Sequence, residues 1–186
     1  MSFGKVVILF VLCFVGNSCI NKQKLKNPDS LFSEQELSEL NSLVCEFDEL
    51  LIKKYDSKDA ASAYLKYSKH NWDKLKENSS IAYLREIDTL YYEVIDFQIC
   101  NQIWEIDTLN RSIKYFKTKG KYFEFLKLIG KEYEIINKYV IEVSEMGDIS
   151  PNLITMFAAE IELDALRSKN VRLIFAIHYL TLYQRS

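Results

Sequence analysis

Four cysteines, two histidines and some helically spaced carboxylates are the side chains of this 186-residue chain that could do chemistry. Only His70 and His178 could serve a metal through imidazole, and neither His-Glu-x-x-His nor Glu-x-x-His occurs. A di-iron bundle site draws on two Glu-x-x-His helices, so that chemistry is excluded. His178 lies in an apolar stretch and reads as a packed core histidine. His70, between Lys69 and Asn71, reads as exposed. There is no Gly-x-Ser-x-Gly elbow, and no two glycines lie close enough to cradle a phosphate. Glu160 and Asp164, beside Glu162, share a predicted helix face at a four-residue step. Such a pair can act in a glycosidase or hold a cation, but is far more often plain solvated surface. No cofactor and no catalytic residue is expected.

Charge is unevenly distributed. From Glu86 to Asn110 there are six acids (Glu86, Asp88, Glu93, Asp96, Glu105, Asp107) and no base, and eight bases follow between Arg111 and Lys138. Either these are solvated helix faces that pair within the domain, or the acidic run is an interaction surface for a charged partner. The total of 24 basic and 26 acidic residues argues against nucleic acid, whose binders carry net-basic domains.

The N-terminus reads as an address. Lys5 precedes an unbroken apolar run, Val6 to Val15, and then Gly16, Asn17, Ser18 and Cys19. Ten such residues are too few to span a bilayer, which needs about 20. They match the apolar region of an export signal. A run that ends in small residues and then Cys resembles a bacterial lipoprotein signal. The resemblance covers only residues 1–19, and Gly16 stands where that family favours Leu. It implies cleavage before Cys19 and acyl chains on the new N-terminus, holding the domain on a membrane. Residues 19–31 hold three lysines and a proline and are expected to form a flexible tether. The mature chain would have 23 basic and 26 acidic residues, a net charge of −3. Cys45 and Cys100 then lie in an oxidising compartment. They either pair or sit as two buried thiols, and their apolar-periodic surroundings favour the thiols.

The elements that position these groups read as helices. Only Gly120, Gly130, Gly147, Pro28 and Pro151 break the chain after the signal. Ser33 with Glu36 forms a capping box, and Leu37, Leu40, Val44, Phe47 and Leu51 mark one helix face to Tyr55. A second helix is expected from about residue 59 to 77. Residues 80–119 are expected as one helix or two, with Ile103, Ile106, Ile113 and Phe116 on its stripe. No turn signal is evident there. Tyr122, Leu126, Ile129, Tyr133, Ile136, Val140 and Val143 form a heptad seam between Gly120 and Gly147. Ser150 and Pro151 start a fifth helix that continues to Leu166. The last helix, from Asn170 to about Gln184, is apolar nearly all round, so it is either central or faces a second copy of the chain.

The expected fold is therefore an all-α bundle of five or six helices in residues 32–186, behind a signal peptide (1–18) and tether (19–31). The expected function is a membrane-anchored interaction module of the bacterial envelope with a protein partner, in the periplasm or at the cell surface. A helical domain binding a small ligand or glycan is the alternative, and an enzyme with a carboxylate site a weaker one. Tyr55, Tyr64, Tyr67, Tyr83, Tyr92 and Tyr115 do not fit one stripe, and either pack at the core edge or line a groove.

Overall fold

The computed structural model describes residues 23–78, 90, 95–107, 109 and 112–183. The fold is all-α in class, with eight α-helices among the described residues and one two-stranded sheet. No described helix is long and apolar enough to cross a membrane.

Helix α1 (Glu34–Tyr55) starts where the capping box places it. The Glu36 N–H donates to Ser33 Oγ, and the Ser33 N–H donates to Glu36 Oε2 at 2.8 Å. The helix ends at Asp56, whose φ of 43° turns the chain. Asp59 then caps α2 (Ala60–Asn78) by accepting from the Ser62 N–H at 2.9 Å. The stretch before α1 is docked from Leu25 on. Leu25 is 6% exposed within the core, and the Lys26 N–H donates to Asn170 Oδ1 at 2.9 Å. These contacts hold the C-terminal part of the expected tether against the domain.

The stretch expected to be helical to Lys119 is different. After the four-residue α3 (Cys100–Ile103), strands β1 (Trp104–Ile106) and β2 (Ile113–Phe116) pair antiparallel. The missed turn signal is Asp107. Its carboxylate accepts from the Leu109 N–H at 2.8 Å, and its own N–H donates to the Ser112 carbonyl. An Asp that bonds the backbone two residues on closes a turn without Gly or Pro.

The heptad seam is also not one helix. It folds back as α4 (Lys121–Gly130) and α5 (Glu134–Met146). A Cβ on Gly130 would lie 3.2 Å from Asn137 Cα, so the missing side chain lets the two helices close up. Gly147, at φ 74°, caps α5. Helix α6 (Pro151–Glu160) begins with Ser150 Oγ accepting from the Leu153 N–H. It stops at extended Ile161, and a short α7 (Leu163–Leu166) follows.

Helix α8 (Lys169–Tyr183) is the axis of the domain. Every residue from Lys169 to Leu182 is buried within the chain itself. The all-round apolar surface, which could have met a second copy, is used internally. Phe175 packs on Tyr64 (5.1 Å between ring centroids) and Phe157 (5.7 Å), which joins α1, α2, α6 and α8 through one aromatic core.

Candidate functional site

Two polar assemblies stand out, one sealed and one open. The sealed one lies between α1 and α8. Arg172 donates from Nε to Asp48 Oδ1 at 3.0 Å and from Nη2 to Oδ2 at 3.2 Å. Its Nη1 donates to the carbonyls of Leu166 and Arg167. Both charged groups are almost fully buried. Burial pushes the Asp48 carboxyl above its ordinary range, against the pull of Arg172. The neighbouring Tyr64 hydroxyl is pushed well up, by burial and then by the Asp48 charge. Lys169 donates from Nζ to Asn41 Oδ1 (3.1 Å) and Cys45 Sγ (3.3 Å), and burial lowers its pKa. Arg172 and Asp48 are only 2% and 4% exposed, so we assign this cluster the role of holding α8 against α1.

His178 is a core histidine, as expected. It stacks on Phe157 (centroids 4.8 Å apart, planes 19°) and meets Tyr139 and Tyr179 edge-on. Tyr64 and Tyr67 are buried in the same aromatic core, while Tyr55 meets Tyr67 and His70 at its margin. The His70 pKa is lowered, first by partial burial and then by Lys54 and Lys74. Tyr115 is exposed, and Tyr83 and Tyr92 lie outside the described residues.

The reading of Cys45 and Cys100 as two buried thiols holds for only one of them. Cys45 is disulfide-bonded. Cys100 is a buried thiol in no disulfide, and burial, with Glu39 and Asp96 nearby, pushes it up to about 12. Cys19, Glu86, Asp88 and Glu93 lie outside the described residues. Of the other acids in that run, Asp96 is exposed. Glu105 pairs with Lys117 at 3.6 Å, and Asp107 closes the hairpin. In the basic stretch, Lys117, Lys121, Lys127 and Lys138 all hold carboxylates, so much of that asymmetry is neutralised within the domain.

The open assembly is a trough over α2, α5, α6 and α7. One half, about 550 Å³, has Trp72, Ile141, Leu153 and Met156 along it, with Lys138 and Glu160 at its edge. The other half, about 680 Å³, lies under Tyr133, Ile135 and Ile161 and is edged by carboxylates. Lys138, Ala159 and Glu160 line both halves. Lys138 spans the join, reaching Glu134 at 3.6 Å and Glu160 at 3.4 Å.

Glu160 and Asp164 do line one wall, though not on one helix, because the chain is extended at Ile161 between them. Their side chains are 54% and 86% exposed, and Asp164 pairs with Arg167. Both lack the burial that makes a carboxyl a general acid at neutral pH. Among the described residues no cluster of His, Cys, Asp and Glu could hold a metal ion.

The chain matches no protein-family model, no curated protein and no solved structure. The trough was not visible in the sequence, because its walls come from four segments spread from Trp72 to Asp164.

Proposed function

We propose that this protein is an exported lipoprotein, held on a bacterial envelope membrane through acyl chains on Cys19, and that its domain is a protein-interaction module. The open trough carries the second part. Its half-exposed Ile141, its Trp72 and its hydrated carboxylates offer area and charge to a macromolecule. A small-molecule site would instead enclose its ligand. The first part is supported by the apolar run Val6 to Val15 ending at Gly16–Cys19. Several acyl chains, at about 0.8 kcal/mol per buried CH₂, hold a protein on a bilayer almost permanently.

Intact-mass measurement of the membrane-fraction protein tests the anchor. The expected species begins at Cys19 and carries the added acyl mass. An unmodified Cys19 removes the anchor, and so does a Cys19–Cys45 disulfide, since one sulfur cannot carry both; the cleaved, anchored chain is thus expected without the Cys45 disulfide that this structure holds. A photo-crosslinker placed at position 141 in cells tests the module. Adducts are expected there and not from exposed Lys53 on α1; equal labelling at both positions counts against a dedicated face.

A further inference from the structure

We infer that the trough over α2, α5, α6 and α7 docks a cationic amphipathic helix, with its basic end over Glu160, Glu162 and Asp164. This names the partner class of the interaction module proposed above and rests on that reading.

The shape comes first. The two halves share Lys138, Ala159 and Glu160, so they abut along the Lys138–Glu160 pair. Two abutting, open, partly apolar depressions suit a helix face, whose apolar side chains recur at i, i+3, i+4 and i+7. Ile141 is 50% exposed on α5, with Trp72 and Met156 lining the same half. An aromatic ring flanked by flexible and branched apolar side chains is the kind of anchor pocket such a face fills.

Charge then selects the occupant and its direction. At the Trp72 end charge is closer to balance: Lys76, 5.5 Å from the Trp72 ring centroid, pairs with Asp73 at 2.8 Å, and Glu142 and Lys138 line that half. At the other end are Glu132, Glu134, Glu160, Glu162 and Asp164. Lys26, Lys138 and Arg167 pair with four of these. Glu162 has no ion pair among the described residues. All are solvated, so the excess of acid is available to a partner. An acidic helix would meet like charge there, which disfavours it.

The anchor supplies the setting. Lys26 holds Glu132 at 2.8 Å on the acidic end. The seven residues from Cys19 to Lys26 span at most about 25 Å when fully extended. A lipid on Cys19 would therefore keep the acidic end close to the bilayer surface, where cationic amphipathic helices collect.

Trp72 provides the readout, because Trp104 is buried and donates to Thr181. The probes are a synthetic 20-residue helix of Leu, Ala and Lys and a matched peptide with Glu in place of every Lys. Both are titrated into the purified full-length chain at low and high salt. The Lys peptide is expected to shift Trp72 emission saturably, and at least tenfold more tightly than the Glu peptide. The Trp72→Phe variant should lose the signal. Ile141→Asp, at an exposed site that leaves the fold intact by circular dichroism, should weaken binding at least tenfold. The double variant Glu162→Lys, Asp164→Lys should weaken the Lys peptide and strengthen the Glu peptide. Equal binding of both peptides, indifference to Ile141→Asp, or no emission change with either overturns the proposal. The intact mass of the parent chain separates the two readings. Peptide binding by a parent chain that carries no acyl mass removes the anchor alone, and no binding by an acylated parent chain removes the trough alone.

Discussion

Replacing Arg172 with Met should cost the folded domain about 3–5 kcal/mol, the usual penalty for removing one partner of a buried ion pair. The structure shows where that cost arises. Arg172 closes both carboxylate oxygens of Asp48 and the Leu166 and Arg167 carbonyls. Met fills part of the volume and satisfies none of these acceptors. Lys169 sits close enough to Asp48 for its charge to act on the carboxyl, which offsets a fraction of the loss. For a domain of about 155 residues, unfolding entropy of roughly 2.1 cal/mol/K per residue converts the penalty to about 9–15 °C in Tm. The deficit should depend on pH in a defined direction. Burial already raises the folded pKa of Asp48 above its unfolded value. Its contribution to stability is therefore full below about pH 3.9 and lost as pH rises through the folded pKa. Without Arg172 that pKa rises further, so the variant's deficit should be larger at pH 7.5 than at pH 4. Thermal melts by circular dichroism at both pH values measure it. The double variant Asp48→Leu, Arg172→Met should recover part of the loss, because it removes the unpaired carboxylate while the Leu166 and Arg167 carbonyls stay without their donor. A Tm change below about 3 °C for the single variant, or a deficit that grows toward acid, would refute the account.

Glu36→Ala should remove one arm of the capping box and the Lys121 ion pair, costing about 1 kcal/mol in urea unfolding at pH 7. Lys121 and Ser33 hold the Glu36 carboxyl below its ordinary range, so its contribution is present above the unfolded value and lost as pH falls through the folded one. The difference from the parent chain should therefore fade by pH 3. Cys100, buried with its thiol pushed up to about 12, should resist iodoacetamide at pH 8 in the native state and react once the chain is denatured, as read by peptide mass. Ser68 Oγ lies 2.8 and 2.9 Å from the Phe157 and Ala158 carbonyls of α6. Ser68→Ala should lower stability by about 1–2 kcal/mol, with the loss showing as faster amide exchange in α6.

The parts legible in the sequence are those governed by local chemistry. Ser33 and Glu36 placed the start of α1, and Ser150 with Pro151 the start of α6, because caps satisfy backbone groups within three residues. The hairpin was missed because Ile103, Ile106, Ile113 and Phe116 also recur at helix-compatible steps, and Asp107 reads as a turn residue only once its carboxylate is seen on the Leu109 N–H. The seam from Tyr122 to Val143 kept its period across the bend at 131–133, since both arms bury their stripes in one core. Periodicity records which side of a segment is buried and not what it is buried against. Glu160 and Asp164 line the same half of the trough, but on two sides of the break at extended Ile161 rather than one turn apart on a single helix.

By itself, then, the sequence determined an all-α domain, most helix starts, and the expectation of an export address ending at Cys19. Tertiary structure alone decided that α8 is the axis, that Asp48 meets Arg172 across 124 positions of chain, and that Trp72, Ile141 and Glu160 share one trough. The division has a physical cause. Caps, turns and apolar stripes are settled by groups a few residues apart. A buried ion pair or an open groove exists only once distant segments have excluded water from one place and left it in another.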